Sequence, residues 1–204
     1  MWVRVATFAD ADPQKADEIV KQQMASGEMR PPDGMSSVLV IDDKDAKKRK
    51  FLAFFDSKEA IAAAEPGFEQ QGETIPESIR GKRTSVHYYE VVIHDGEIEA
   101  AKAARVSVLE GSSDGIDASL EKTRAETLPK VRAIAGNVGA IGLADRENGR
   151  VSIITLWDST DAMRASEQEA DQLREQTADR GGQKIANVAR YDVAIAQSLA
   201  GARA

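Results

Sequence analysis

The amino-acid sequence predicts an α+β protein in which one structural unit occurs twice in the same chain. Two observations lead to this prediction. The chain matches itself at an almost constant offset in three separated blocks. Within each copy, stretches with the two-residue period of a strand take turns with stretches that have the spacing of an amphipathic helix.

The repeat appears when the sequence is shifted by 101 or 102 residues. Because the register drifts by only one residue over the whole chain, chance similarity does not explain it, and the unit is too long for a solenoid repeat. It is a duplicated domain. The matching blocks are "VRVATF" (3–8) with "ARVSVL" (104–109), "FFDSKEAI" (54–61) with "LWDSTDAM" (156–163), and "YEVVI" (89–93) with "YDVAI" (191–195).

The first copy begins with a strand, because its first residues alternate in polarity and are rich in β-branched side chains. Asp12 and Pro13 then form a helix cap and a first-turn proline. Asp56 opens a second helix, with Glu59 three residues after the cap. That helix ends near Pro66 or continues with a kink. The predicted strands are 2–8, 35–42, 48–55 and 83–93, of which the second and third form a hairpin.

The second copy repeats this order. Its first helix contains Pro129, which predicts a kink or a break. Its second helix is predicted to be long and continuous. The predicted strands are 104–109, 139–144, 151–157 and 187–195, and the predicted helices are 116–134 and 159–178.

The order β-α-β-β-α-β is that of the ferredoxin-like fold, in which two helices cover one face of a four-stranded antiparallel sheet. The other face is bare and must be buried. A second copy offers that cover, so we expect the two bare faces to pack together. The predicted organisation is a first unit at 1–95, a linker at 96–103, a second unit at 104–197 and a tail at 198–204.

Three features resemble the antibiotic-biosynthesis-monooxygenase-like family of the dimeric α+β barrel superfamily. They are a last strand that carries "YEV" or "YDV", a third strand that ends in an aromatic residue followed by Asp-Ser, and a helix that begins with an acid and alanine. The resemblance covers both copies, and "ITLWDSTDAM" in the second carries the family's tryptophan. It implies that the antiparallel sheets pack as a dimeric α+β barrel, with the usual homodimer fused into one chain.

The resemblance also implies an activity. Some members of the family oxidise aromatic polyketides or quinols with O2 and no metal or flavin, and others degrade haem. We therefore expect a cofactor-independent monooxygenase that acts on an aromatic or quinol-like small molecule, with no cofactor. The alternative is a small-molecule-binding or stress-related protein of the same fold without catalysis.

The composition limits the classes of partner that the protein is expected to bind. A net charge of −7 and a pI near 5.0 argue against a nucleic-acid-binding surface, and no apolar run is long enough for a membrane span. The chain has no cysteine and no metal-binding motif, so no metal site is predicted. The expected partner is a small apolar or aromatic molecule, and the expected location is the cytoplasm. Exposed sheet edges leave a further homodimer open beyond the intramolecular pseudo-dimer.

Trp157 is the first candidate for the site, because the family's tryptophan lines a pocket between the sheet and the helices. A large aromatic residue at a strand end also fills a core, and Phe55 at the matching position of the first copy favours that interpretation.

His87 is the candidate general base, because the pKa of histidine suits removal of a proton from a phenol or quinol. By alternation His87 shares a strand face with Tyr89, Val91 and Ile93. Tyr89 and Tyr191 are candidates to hold substrate oxygens. A half-buried histidine with a satisfied hydrogen bond is the structural alternative.

Arg4 and Arg105 occupy equivalent positions in the first strand of each copy. An arginine that faces a pocket stabilises an oxyanion, whereas one at a strand edge pairs with a carboxylate in solvent. Haem-degrading relatives carry an iron-binding histidine on the helix that follows the tryptophan. Here Glu65 and Glu167 stand at that position, which argues against haem degradation.

Overall fold

The computed structural model describes residues 1–27 and 30–199, without the side chains of Met24 and Ala118. Two compact units are present. Unit 1 comprises Met1–Tyr88 and the segment that begins at Ala194, and unit 2 comprises Tyr89–Val193. The boundaries therefore fall within the last strand of each copy. The end of the predicted tail, 200–204, lies outside the described residues.

Unit 1 holds an antiparallel sheet with the strand order β4-β1-β3-β2, as expected for the ferredoxin-like fold. The hairpin β2–β3 keeps regular register apart from a bulge near Met35. The amide of Leu199 donates a hydrogen bond to the carbonyl of Ser36 at 2.8 Å, next to the segment of β8 that belongs to this unit. The strands are β1 (Trp2–Ala9), β2 (Met35–Asp43), β3 (Lys48–Phe55) and β4 (Lys82–Gly96).

The helices of unit 1 are α1 (Pro13–Ser26), α2 (Lys58–Thr74) and the short α3 (Glu77–Arg80). The hydroxyl of Ser57 caps α2 by accepting a hydrogen bond from the amide of Ala60 at 3.1 Å. Pro66 lies inside α2, and the helix continues past it by two turns. The helix therefore continues past Pro66, which is the second of the two predicted outcomes, while the predicted kink stays a prediction.

Unit 2 repeats the arrangement with the strand order β8-β5-β7-β6. Its strands are β5 (Ala103–Gly111), β6 (Asn137–Asp145), β7 (Arg150–Trp157) and β8 (Gln183–Ser198), and its helices are α4 (Ile116–Lys122), α5 (Leu128–Ala133), α6 (Thr160–Ala165) and α7 (Glu167–Arg180). The part of β4 from Tyr89 onwards belongs to this unit and pairs with β6.

Both helical segments of unit 2 depart from a regular α-helix. A π-helical turn, Thr123–Thr127, joins α4 to α5, and Pro129 stands in the first turn of α5, where its missing N–H costs little. The predicted continuous helix at 159–178 is wrong at Ser166, which separates α6 from α7. The hydroxyl of Ser166 donates to the carbonyl of Met163 at 2.7 Å, and Arg105 also donates to that carbonyl. The carbonyl oxygen of Met163 thus accepts hydrogen bonds from two side chains, those of Arg105 and Ser166.

One core cluster of each unit lies between its sheet and its helices. In unit 1 it includes Phe55 and Ile61, and in unit 2 it includes Leu109 and Ile116. The predicted α+β fold class, with ferredoxin-like antiparallel sheets, is confirmed. No helix among residues 1–27 and 30–199 is long and apolar enough to cross a membrane.

Candidate ligand-binding cavities

Each unit has a cavity on the helix side of its sheet, and the first strand of each copy contributes one buried arginine to its wall. Arg4 lines the unit 1 cavity and Arg105 lines the unit 2 cavity. Both side chains are almost fully buried, at 3% and 1% exposure. Both arginines pair with a carboxylate, as the alternative interpretation expects, but they are buried and face a cavity and do not lie in solvent.

Each arginine is held by the glutamate at the equivalent helix position. The Nε and Nη2 atoms of Arg4 donate to the two carboxylate oxygens of Glu65 at 2.7 and 3.2 Å. The Nη2 atom of Arg105 donates to Glu167 at 3.1 Å. Glu65 and Glu167 are thus paired with arginines. Neither residue supplies the neutral imidazole that would bind haem iron at this position. The sequence signal for these pairs was the shared repeat position of both partners.

A third side chain joins each arginine–glutamate pair, and it comes from the last strand of each copy. The hydroxyl of Tyr88 donates to Glu65 at 2.8 Å, and Arg190 donates to both oxygens of Glu167. Burial alone would raise the pKa of Glu65, but the hydrogen bonds from Arg4 and Tyr88 outweigh it and lower the pKa. The pKa of Glu167 is lowered against burial in the same way, with Arg190 and Arg105 as the causes.

The unit 1 cavity has a volume of about 470 Å³. Three phenylalanine rings form much of its wall, and two of them, Phe51 and Phe68, meet edge to face with centroids 6.2 Å apart. The guanidinium of Arg4 lies over the ring of Phe68 at 4.5 Å. Aromatic side chains and a buried guanidinium therefore share this space. The lining includes the apolar or small residues Phe8, Val20, Phe51, Phe68, Gly72 and Ile195 and the charged residues Arg4, Arg49, Glu69, Glu73, Glu77, Arg80, Lys82 and Arg83.

Arg49 is a second buried arginine of the unit 1 cavity. Its Nε and Nη2 atoms donate to Asp42 at 2.7 and 2.8 Å, and Nη2 also donates to Asp17 at 2.8 Å. Burial opposes the charge of Arg49, but the hydrogen bonds and the charges of Asp42 and Asp17 outweigh it and raise the pKa of the guanidinium. The charge of Arg49 is therefore balanced within the unit.

The unit 2 cavity is much smaller, at about 70 Å³. Trp157 is fully buried in its wall and donates from Nε1 to the hydroxyl of Thr155 at 3.1 Å. The cation of Arg105 lies 5.4 Å from the ring centre of Trp157. Arg174 also lines this cavity and donates from Nε to Ser107 at 3.0 Å. Trp157 and Arg105 are candidates that the sequence predicts, whereas Arg174 and Ser107 are not.

Gly72 and Arg174 occupy matching positions of the two copies at the repeat offset of 102. A side chain at Gly72 would extend into open space, because no atom lies within 4 Å of its ideal Cβ position. At the matching position of unit 2 the long side chain of Arg174 lies in the cavity wall. This exchange contributes to the difference between the two volumes.

Phe55 and the two predicted tyrosines lie outside the walls of both cavities. Phe55 is fully buried and packs against Phe68 with ring centres 6.1 Å apart. Tyr89 and Tyr191 are buried, and burial raises the pKa of the Tyr89 phenol. Arg150 interacts with Tyr89 from the neighbouring part of unit 2.

His87 is half-buried and is not among the lining residues of either cavity. Because Tyr88 reaches Glu65 on the helix side, alternation directs His87 to the opposite face. The prediction that His87, Tyr89, Val91 and Ile93 share one face is wrong at Ile93. A β-bulge between Val91 and Ile93 shifts the alternation, and Ile93 lines the unit 2 cavity.

No model of a known protein family matches the chain. Two uncharacterized proteins of Mycobacterium tuberculosis share sequence with it. One is 28% identical over 79 residues, which cover 39% of this chain and 35% of the relative. The other is 31% identical over 75 residues, which cover 37% of this chain and 32% of the relative. The match thus spans about a third of the length of these curated relatives.

Solved structures show the fold over almost the whole chain. An anthrone oxidase-like protein superposes with a TM-score of 0.68 at 18% identity, covering 98% of this chain and 93% of that one. A monooxygenase candidate from Fusobacterium nucleatum gives 0.66 at 15% identity, covering 97% and 94%. A Listeria monocytogenes ferredoxin-fold protein related to antibiotic biosynthesis monooxygenases gives 0.52 at 11%, covering 93% of both chains. The fold is therefore that of antibiotic-biosynthesis-monooxygenase-like proteins.

Proposed function

We propose that this protein is a cofactor-independent monooxygenase that oxidises an aromatic or quinol-like small molecule with O2 in the unit 1 cavity. The observation that carries the proposal is the combination of an aromatic-walled cavity with the buried guanidinium of Arg4. The fold agrees with it, since two of the superposed structures are described as anthrone oxidase-like and as a monooxygenase candidate.

Size favours unit 1 as the substrate site. Pockets for drug-sized ligands measure roughly 300–1,000 Å³, and the unit 1 cavity of about 470 Å³ lies in this range. The unit 2 cavity of about 70 Å³ is too small for a ring system. The rings of Phe8, Phe51 and Phe68 offer edges and faces to a flat substrate, which is the contact that aromatic pairs prefer.

The chemistry requires an electron-rich anion of the substrate. A hydroxylated or ketonic aromatic that loses a proton gives electrons to O2 far more readily than its neutral form. Arg4 in the cavity wall would stabilise the substrate oxyanion. Glu69, Glu73 and Glu77 line the same cavity and supply carboxylates that accept the proton. The hydrogen bond from Arg83 lowers the pKa of Glu69 and weakens that carboxylate as a base.

The overall reaction balances without a further reductant when a ring methylene becomes a ketone. One oxygen atom of O2 becomes the ketone oxygen, and the other leaves as water with the two methylene hydrogens. Four electrons pass from the methylene carbon and its two C–H bonds to O2. The role of His87 as the base and the role of Trp157 in catalysis stay predictions.

Binding without turnover is the second candidate. The pairing of Arg4 with both oxygens of Glu65 favours it, because a guanidinium that is already neutralised stabilises a new anion less well. In this case the cavity would hold the aromatic molecule in its neutral form.

The test is oxygen uptake by the purified protein with a panel of anthrones, naphthols and quinols, together with calorimetric binding of each compound. Two variants form a matched pair. Gly72→Arg puts a long side chain into the unit 1 cavity, whereas Gly67→Arg places the same side chain on the same helix at a glycine that does not line it. Neither glycine has an atom within 4 Å of its ideal Cβ, so both variants should fold.

We expect uptake above the uncatalysed rate that is lost in Gly72→Arg and kept in Gly67→Arg. Binding that Gly72→Arg abolishes, without oxygen uptake by the parent, would support the binding protein instead. Uptake that is equal in both variants would overturn the placement of the reaction in unit 1.

A further inference from the structure

The unit 2 cavity contains hydrogen-bond donors that have no acceptor. The Nε and Nη1 atoms of Arg105 and the Nη2 atom of Arg174 are buried and have no hydrogen-bond partner among the described residues. Buried charged donors are nearly always paired, because leaving one unpaired forfeits its hydration without compensation. Burial lowers the pKa of the Arg105 guanidinium, in the direction expected for a cation whose charge is incompletely balanced. These nitrogens therefore call for an acceptor in the cavity.

The charges around the cavity leave one cation in excess. Arg105 and Arg190 share the single carboxylate of Glu167. Arg174 pairs with Asp171, whose side chain is half-exposed. Three guanidinium groups thus share two carboxylates; Arg105 and Arg174 line the cavity, whereas Arg190 is half-exposed and lies outside its wall.

In unit 1 the two corresponding carboxylates, Glu65 and Glu69, each pair with one arginine, Arg4 and Arg83. Two exchanges between the copies account for much of the contrast. Tyr88 of unit 1 corresponds to Arg190, and Gly72 corresponds to Arg174. At these matched positions, therefore, only unit 2 carries more arginines than carboxylates.

Two hydroxyl groups add further donors. The Oγ of Ser107 accepts from Arg174, and the Oγ1 of Thr155 accepts from Trp157, so each hydroxyl keeps its own proton to donate. The π-helical turn that contains Thr123 lines the same cavity, and such turns are common at functional sites. The remaining wall is largely apolar, which strengthens a charge-assisted hydrogen bond inside it.

We propose that the unit 2 cavity is a binding site for a small monovalent oxyanion of the carboxylate or nitrate type, held by Arg105 and Arg174. A planar anion matches the planar donor set of a guanidinium. A cavity of about 70 Å³ admits only a few heavy atoms, which excludes a ring system and a large polyanion. This site is separate from the proposed oxidation in unit 1.

Fluorescence of Trp157 provides the test, because its ring lies next to Arg105. The chain has two tryptophans, so Trp2→Phe leaves Trp157 as the only tryptophan, which is excited selectively at wavelengths that tyrosine does not absorb. This variant is titrated with sodium formate at constant ionic strength, with sodium gluconate as the balancing salt. Formate fits the cavity and gluconate does not. The measurement involves neither an aromatic substrate nor O2, so its failure and the failure of the proposed function are distinguishable.

We expect a saturable change in emission and a saturable rise in Tm with formate, and neither with gluconate. Arg174→Gln removes one cationic donor and should weaken formate binding by roughly tenfold or more. Arg83→Gln, which removes an arginine from a balanced pair of unit 1, should leave the titration unchanged. If circular dichroism shows that Arg174→Gln is unfolded, Arg174→Lys replaces it and should weaken binding while keeping the charge. Equal responses to formate and gluconate, or a folded Arg174 variant that titrates like its parent, would overturn the proposal.

Discussion

Arg4 and Glu65, 61 residues apart in the chain, join the first strand of unit 1 to its long helix through two hydrogen bonds. Arg4 is almost fully buried, whereas Glu65 is about three-quarters buried. We predict that Glu65→Gln lowers the free energy of unfolding by about 1–3 kcal/mol, because a buried cation loses its counterion. Urea unfolding measures this. Glu69→Gln, in the exposed pair with Arg83, is the control and should change stability little.

The same ion pairs predict the response to acid. The pKa values of Glu65 and Glu167 are both lowered relative to the ordinary value of 4.5. A carboxyl with a lowered pKa in the folded state adds stability above its unfolded pKa and loses it as pH falls through the folded pKa. Stability from these groups should therefore be constant above about pH 5 and should decline below pH 4.5. In urea unfolding between pH 7 and pH 3, the double variant Glu65→Gln, Glu167→Gln should show a shallower decline than the parent. Parallel curves would contradict the prediction.

Trp157→Phe tests whether the buried tryptophan packs or takes part in turnover. The smaller ring leaves a void and removes the hydrogen bond to Thr155. We expect a loss of about 1–2 kcal/mol in the free energy of unfolding. Because Trp157 lines only the smaller of the two cavities, binding of an aromatic compound to unit 1 should not change. A large loss of aromatic affinity in a folded variant would place the ligand beside Trp157.

His87→Ala tests the predicted general base. His87 lies outside the walls of both cavities, so we expect aromatic binding and oxygen uptake to continue at the parent's rate. The ratio of the two uptake rates, measured with the same substrate, is the readout. Loss of turnover with unchanged binding would instead establish His87 as the base.

The fold was largely predictable from the sequence because its determinants are local and occur twice. Alternation, helix caps and turn residues located the helices and strands, and both copies predicted the same order of elements. The break at Ser166 was not predictable in this way. At this point Arg105, which is distant in sequence, donates a hydrogen bond to the carbonyl of Met163. Periodicity along a helix carries no information about such a contact.

The cavity walls were predictable only in part. Repetition of Arg4 and Arg105 drew attention to them, but the repeat could not show that both are buried. The bulge between Val91 and Ile93 changes which face a residue occupies, and a simple alternation rule misses it. Arg174 stands opposite a glycine in the repeat, so conservation between the copies gave no signal there. Its importance arises from a difference between the copies.

The division of the chain into units has a consequence for the order of folding during synthesis. Unit 1 includes Met1–Tyr88 and also the segment from Ala194 onwards, and strand β2 finds a neighbour in β8. A ribosome makes all of residues 89–193 before it makes that neighbour. The edge of β2 that pairs with β8 therefore stays without this neighbour for most of translation. The hairpin that follows β2 is charged, with Lys44 and Asp45 at its turn. Charged residues of this kind keep an unpaired strand edge from pairing with another chain.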